Sequence, residues 1–121
     1  MVLDTSALMA MLLAETGGDR VRAALPDASM SVVNAAEAAE ILVRKGVALE
    51  RAVERLSALA VKWIEPSFGV AMKAAGLRQL GGLSLGDRFC IALARDRNEP
   101  VLTADRVWAS LNIGVTVELI R

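Results

Sequence analysis

Short apolar segments that alternate with helical segments are the feature that most constrains how this chain can fold. Each apolar segment is bounded by turn residues and is followed by a stretch with the period of an amphipathic helix, about 3.6 residues. Such alternation is typical of strand–helix units, in which helices cover both faces of a parallel sheet. The pattern therefore predicts an α/β fold, a three-layer α/β/α sandwich with a central, mostly parallel sheet.

The apolar runs and their stop signals place the individual elements. Strands are predicted over residues 1–3, 30–33, 61–64, 101–103 and 115–119. Helices are predicted over residues 7–14, 19–25, 49–59 and 68–80, and two more follow caps at Asn34 and Ser84. The last strand alternates apolar and polar residues, which suits the edge of a sheet.

Length and composition predict a single domain over residues 1–121, because a chain of 121 residues has room for one core. Hydrophobic residues make up 55% of the chain, and the mean hydropathy is +0.45. This surplus indicates a protein interface and not a membrane span, since the longest apolar run covers residues 7–14 and a spanning helix needs about 20.

The beginning of the sequence and its cysteine content favour a cytoplasmic protein. Asp4 stands where a secretory signal would carry positive charge, and no cleavage-like site follows. The single cysteine, Cys90, cannot form an internal disulfide, which agrees with a reducing compartment. We expect it to be a small buried hydrophobic residue.

The acidic residues that follow predicted strands are the main candidates for a functional site. Ligands of parallel sheets bind beyond the carboxyl ends of the strands. Asp4 and Asp105 follow two strands, Glu37 lies in the first turn after a third, and Asp87 lies in the turn after Ser84. The sequence thus predicts that these four acids share one edge of the sheet.

Each acid also has a purely structural explanation. The pairs Asn34/Glu37 and Ser84/Asp87 have the spacing of a capping box, and Asp4 could cap the helix that follows it. Asp87 and Asp105 each precede an arginine, so surface ion pairs are a further alternative.

Taken together, the acids point to a divalent cation. Carboxylates that meet in a cleft repel one another and raise each other's pKa unless a cation neutralises them. Oxygen ligands favour Mg²⁺ or Mn²⁺, and a chain without histidine and with one cysteine lacks the usual zinc ligands. Such a site is suited to phosphoryl chemistry, although the zero net charge gives no sign of a nucleic-acid binder.

Each of the four acids lies in a short sequence phrase. The phrases are Val2-Leu3-Asp4-Thr5-Ser6-Ala7, Asn34-Ala35-Ala36-Glu37, Leu83-Ser84-Leu85-Gly86-Asp87-Arg88 and Leu102-Thr103-Ala104-Asp105-Arg106. These phrases resemble those of PIN-domain ribonucleases, specifically VapC-type toxins of bacterial toxin–antitoxin pairs. The resemblance in order and spacing covers essentially the whole chain.

The resemblance implies a metal-dependent endoribonuclease with Asp4, Glu37, Asp87 and Asp105 as metal ligands and catalytic acids. It implies water as nucleophile, RNA as substrate, a homodimer, and a cognate antitoxin whose tail blocks the cleft. Ser6 and Thr103 would orient the acids. The chain departs from many relatives at Val107 and Trp108, where a further acid is common, and this leaves open whether one or two ions bind.

Other polar residues receive secondary interpretations. Arg88 and Arg106 adjoin the acids and are candidates for binding RNA phosphates. Glu40 is a rival to Glu37, but its spacing to Arg44 favours a helix-surface pair. The tryptophans, Trp63 and Trp108, are expected to anchor the core or an interface.

Four other functions compete with that of a ribonuclease. A non-catalytic binding module of the same fold would not need the acids to bind metal. A phosphatase of the haloacid dehalogenase type needs Asp-x-Asp where this chain has Asp4-Thr5-Ser6, and a phosphotransfer receiver needs a late lysine, which the chain lacks after Lys73. A DNA-directed nuclease of the same superfamily remains open.

Overall fold

The computed structural model describes residues 1–121 and contains one five-stranded sheet in which every strand pair is parallel. The strands, in chain order, are β1 (Val2–Leu3), β2 (Ser29–Ser31), β3 (Lys62–Ile64), β4 (Val101–Thr103) and β5 (Val117–Leu119). Their spatial order is β3-β2-β1-β4-β5, so β5 forms an edge as its alternation predicts. The predicted α/β/α sandwich is confirmed, with a sheet that is parallel throughout.

Six α-helices connect the strands. They are α1 (Thr5–Leu12), α2 (Gly18–Ala24), α3 (Val32–Arg44), α4 (Leu49–Ser57), α5 (Phe68–Gly76) and α6 (Leu85–Arg97). Short 3₁₀ segments follow α2, α5 and β4, over Leu25–Asp27, Leu77–Leu80 and Arg106–Ser110. No helix combines the length and the apolar character of a membrane-spanning segment.

Two apolar cores lie on opposite faces of the sheet. Leu3 and Leu102 point into a core formed with α1 to α4, while the adjacent Val2 and Val101 point into a core formed with α5 and α6. This alternation follows from the two-residue period of a strand. Trp108 is fully buried in the second core, as predicted for a core anchor, and Cys90 is buried there as well.

The start of α3 corrects two predictions. The strand predicted over residues 30–33 ends at Ser31, and Val32 already begins the helix. Ser31 is the N-cap, and its hydroxyl accepts a hydrogen bond from the Val33 amide at 3.1 Å. Asn34 is therefore an interior helix residue and not the cap, because a serine one turn earlier satisfies the free amides.

The helix predicted over residues 68–80 is also shorter than expected. Its α-helical part ends at Gly76, and the chain continues as a 3₁₀ turn to Leu80. Gly81 then has a φ of +67°, which a glycine adopts without steric cost and which ends the segment.

The strand order reverses direction between β1 and β4. The chain moves outward from β1 to β2 and β3, then returns to place β4 on the other side of β1. Val2 pairs with Val101 and Leu3 with Leu102, so the two strands end level with each other. In parallel sheets such a reversal opens a crevice at the carboxyl ends of the strands, and ligands bind there.

Candidate metal centre

Asp4 lies in this crevice and is almost completely buried, with 2% of its surface exposed. It follows β1 and caps α1, as its structural interpretation predicts. Oδ2 accepts hydrogen bonds from the Thr103 hydroxyl at 2.8 Å and from both the hydroxyl and the amide of Ser6. Oδ1 is buried without any hydrogen-bond partner. Because a buried anionic oxygen without a protein partner is costly, this atom is the strongest sign that the crevice suits a cation.

Burial raises the pKa of Asp4 to about 6. Hydrogen bonds from Ser6 and Thr103 oppose this rise, and the charge of Asp87 adds to it. Burial thus outweighs the hydrogen bonds, and the carboxylate charge of Asp4 is poorly compensated by the protein alone.

Ser6 and Thr103 join the ends of β1 and β4. Their hydroxyl oxygens lie 3.1 Å apart. The Ser6 hydroxyl also accepts a hydrogen bond from the Ala104 amide, and the Thr103 hydroxyl accepts one from the Asp105 amide, both at 3.0 Å. Asp105 caps the 3₁₀ segment that follows, where its Oδ1 accepts the Val107 amide. The hydroxyls therefore hold Asp4 and the backbone of Asp105 in one unit.

Glu37 enters the crevice from α3. Its Oε1 accepts hydrogen bonds from the Thr5 hydroxyl at 2.7 Å and from the Asn34 side-chain amide at 2.9 Å. No hydrogen bond from the protein reaches Oε2. Glu37 thus has one oxygen fixed by neutral donors and one available to a ligand.

Asp87 lies in the first turn of α6, where it forms a capping box with Ser84. Its Oδ2 accepts the Ser84 amide at 2.9 Å, and the Ser84 hydroxyl accepts the Asp87 amide at 3.1 Å. Burial raises the pKa of Asp87, these hydrogen bonds lower it, and the charges of Glu37 and Asp105 raise it further. The four predicted acids therefore interact electrostatically, with Asp87 linking the other three.

No cation of the protein neutralises this group. The chain forms five ion pairs, and none includes any of the four acids. The alternative that Asp87 and Asp105 pair with their neighbouring arginines is therefore wrong, and so is the predicted pair of Glu40 with Arg44. Arg88 is half-buried and its Nε donates to the Ser84 carbonyl, while Arg106 is exposed.

The donor set suits a hard divalent cation, although its side chains do not stand in a closed coordination shell. No three carboxylate or thiol groups are arranged so that they could hold an ion as they stand. Instead, each of the four carboxylates accepts hydrogen bonds from the protein through one of its oxygens. The other oxygen of Asp4, Oδ1, is buried and has no hydrogen-bond partner. Oxygen donors, uncompensated charge and a buried orphan oxygen together fit Mg²⁺ or Mn²⁺.

Three residues of the site escaped the sequence prediction. Thr5 and Asn34 hold Glu37, and Gly86 packs directly against its carboxylate. For Asn34 a signal was present, because it stands four residues before Ala38 and eight before Leu42, on the buried face of α3. No comparable pattern distinguishes Thr5 or Gly86.

The PIN domain family profile matches residues 1–113 of the chain. The chain belongs to the PIN domain family. No curated protein matches it in sequence.

Several solved structures share this fold. A chain of a toxin–antitoxin complex from Klebsiella pneumoniae has a TM-score of 0.76 at 20% identity, with 99% of this chain and 97% of that chain covered. The structure of VapBC-1 from nontypeable Haemophilus influenzae has a TM-score of 0.71 at 17% identity, with 98% of this chain and 96% of that chain covered. VapBC-5 from Mycobacterium tuberculosis, a member of the VapBC family of toxin–antitoxin systems, has a TM-score of 0.62 at 28% identity, with 99% of this chain and 96% of that chain covered. The predicted PIN domain is confirmed, and its fold is shared with these toxin–antitoxin structures.

Proposed function

We propose that this protein is a Mg²⁺-dependent endoribonuclease and the toxin of a toxin–antitoxin pair. The observation that carries the proposal is the buried, unpartnered Oδ1 of Asp4, which lies at the strand-order reversal among acids that no basic residue neutralises. Membership of the PIN domain family supports the same activity.

The residues have distinct tasks in this proposal. Asp4, Glu37, Asp87 and Asp105 would hold Mg²⁺ or Mn²⁺. When bound, the ion supplies the positive charge that activates an attacking water and stabilises the leaving oxygen of the phosphodiester. Ser6 and Thr103 keep Asp4 oriented through the hydrogen bonds to Oδ2.

Substrate binding is assigned to the basic residues beside the acids. Arg88 and Arg106 follow Asp87 and Asp105 directly, and neither is engaged in an ion pair. Arg106 is exposed, and Arg88 uses only its Nε in a hydrogen bond within the protein, so both residues can still donate hydrogen bonds to RNA phosphates.

Cleavage of a labelled RNA panel by purified variants tests the activity. Asp4→Asn and Asp87→Asn are expected to abolish Mg²⁺-dependent cleavage, while Asp96→Asn, the same change farther along the helix of Asp87, is expected to retain it. Equal cleavage by Asp4→Asn and wild type would overturn the proposed site. A DNA panel of the same sequences, run in parallel, separates an RNA-directed from a DNA-directed nuclease.

A non-catalytic module of the same fold is the second candidate, and the exposed apolar groove between α3 and α4 favours it. Titration with Mn²⁺ distinguishes the two, since a module would have no need to bind the ion. Wild-type binding that Asp4→Asn loses supports the nuclease.

The partner we propose is a cognate antitoxin, and this same groove is its docking surface. The groove consists of two adjoining cavities that share Ala36 and Ala39; Val43 and Leu49 line one cavity, and Val53 lines the other. Leu49 and Val53, one turn apart on α4, are 56% and 52% exposed and together form an apolar patch on this helix. An apolar helix of the antitoxin would cover this surface, and the toxin–antitoxin complexes among the solved relatives support such a partner.

A growth-rescue selection tests the antitoxin proposal. The chain is expressed in a bacterial host together with a fragment library of the source genome, and a rescuing product is purified in complex with it. The double variant Leu49→Asp/Val53→Asp is expected to keep nuclease activity and to escape rescue. Rescue of this variant equal to that of wild type would place the antitoxin elsewhere.

The proposal also includes a single domain, a cytoplasmic location and a homodimer, as predicted from the sequence. Sedimentation equilibrium of the purified protein measures the oligomeric state. A monomer at all concentrations would remove the homodimer from the proposal and leave the nuclease assignment unaffected.

A further inference from the structure

Glu37 is held by a set of contacts that no capping or packing role requires. Its carboxylate is reached by a residue of α1, by a residue of its own helix, and by the first turn of α6. We propose that Asn34 and Gly86 are positioning residues, which fix the Glu37 carboxylate at the acidic crevice in the geometry that a divalent ion needs. This inference rests on the proposed metal-dependent function.

Asn34 is the centre of this arrangement. Its side chain is fully buried, and Nδ2 lies 2.9 Å from Glu37 Oε1, 3.0 Å from the Thr5 hydroxyl oxygen and 3.1 Å from the Gly86 carbonyl oxygen. A side-chain amide carries two hydrogens, so three acceptors compete for two donors. The single nitrogen thereby ties α1, α3 and α6 together at the point where Glu37 stands.

The neutrality of this donor matters. A lysine or arginine at position 34 would neutralise Glu37 and compete with a metal ion for it. An amide instead fixes Oε1 through hydrogen bonds and leaves the negative charge of the carboxylate uncompensated. Asn34 thus orients Glu37 without weakening its attraction for a cation.

Gly86 contributes by having no side chain. A Cβ atom built at Gly86 would overlap the carboxylate carbon and both carboxylate oxygens of Glu37. These atoms are the far end of a flexible side chain, so an alanine at position 86 can be accommodated by moving Glu37 away and does not require the backbone to shift. The change should thus displace Glu37 while the protein stays folded.

Two matched control variants exist in the chain. Ser31 caps the same helix that carries Asn34, so Ser31→Ala weakens α3 without touching Glu37. Gly69 occupies the second position of α5, as Gly86 does of α6, and a Cβ there would meet only the Ser67 hydroxyl oxygen at 3.7 Å. Gly69→Ala therefore repeats the backbone change without the overlap.

The experiment measures Mn²⁺ binding by isothermal titration calorimetry, with urea unfolding of every variant in parallel. We expect Asn34→Ala and Gly86→Ala to weaken Mn²⁺ binding about 10- to 100-fold, the range found when residues that orient metal ligands are lost. Ser31→Ala and Gly69→Ala should bind as wild type does. Gly86→Ala should also unfold near the wild-type urea midpoint, which separates loss of the ligand from loss of the fold.

The outcomes distinguish this inference from the function on which it rests. If wild type binds Mn²⁺ and both Asn34→Ala and Gly86→Ala bind it equally well, the positioning role alone is overturned. Weakening in Ser31→Ala equal to that in Asn34→Ala would attribute the effect to general destabilisation and would also overturn it. Absence of Mn²⁺ binding by wild type overturns the proposed metal site and this inference together.

Discussion

At the scale of single residues, Asp4 combines two features that oppose each other. It is one of the most deeply buried polar residues, yet one of its oxygens has no partner. The protein supplies three hydrogen bonds to the other oxygen and no positive charge. The carboxylate is consequently destabilised in the metal-free fold, and its raised pKa is the measurable sign of that.

This conflict predicts how the stability of the metal-free protein depends on pH. The pKa of Asp4 rises from 3.8 to about 6 on folding, so between these values the folded state binds the proton more tightly than the unfolded state. The contribution of Asp4 to stability therefore falls as pH rises from about 4 to about 6 and is constant above that range. The total change is about 3 kcal/mol, and Asp87 adds to it in the same direction.

Urea unfolding in EDTA at pH 4 and pH 7.5 measures this effect. The quantity of interest is the free energy of unfolding of Asp4→Asn minus that of wild type, because the contributions of groups that do not interact with Asp4 cancel in the difference. The difference should become more favourable to the variant at pH 7.5. A difference that does not change with pH would contradict the assignment of the raised pKa to Asp4.

At the scale of secondary-structure elements, the alternating pattern predicted all five strands of the sheet and the six α-helices that cover its two faces. Elements with one sharp stop signal, such as β4 before Asp105, were placed correctly. The boundary between β2 and α3 was not, because Val32 and Val33 are β-branched and extend an apolar run across the true start of the helix. The helix begins after Ser31 because the Ser31 side chain caps it. This capping depends on the local backbone conformation, which cannot be read from the pattern of apolar and polar residues.

The end of α1 supports a prediction of its own. Ala14 has a φ of +55° and is exposed, so its Cβ is strained in a left-handed conformation that costs roughly 1 kcal/mol. Ala14→Gly should therefore raise the free energy of unfolding by about this amount.

The matched control is Ala23→Gly, an exposed position inside α2, which should lower stability by about 1 kcal/mol. Denaturant melts of the two variants measure both effects. Destabilisation by both glycines would contradict the strain assigned to Ala14.

At the scale of the whole molecule, the zero net charge conceals an uneven distribution. Acidic residues without basic partners gather at the carboxyl edge of the sheet, although acids and bases are equal in number along the chain. The edge could be predicted from the order of strands and acids. Its fine structure could not, since the contacts of Glu37 with Thr5 and Gly86 join residues that are 32 and 49 positions apart in the chain.

This uneven charge predicts that a bound cation stabilises the entire fold. An ion that binds only the folded state at 100 times its dissociation constant adds about 2.7 kcal/mol, which corresponds to a rise in Tm of roughly 10 °C for a chain of this size. Differential scanning calorimetry with and without Mn²⁺ measures the shift. Asp4→Asn should lose most of it and Asp96→Asn should keep it, whereas equal shifts in both variants would point to binding elsewhere.

The pairing of β1 with β4 has a consequence for synthesis of the protein in the cell. Asp4 is translated almost first, but its hydroxyl donor Thr103 lies 99 residues later and belongs to the strand that completes the crevice. In a nascent chain that still lacks β4, Asp4 is therefore present without the strand that helps to bury it. The acidic crevice is therefore complete only when most of the polypeptide has left the ribosome, and under the proposed nuclease function this order would keep incomplete translation products inactive.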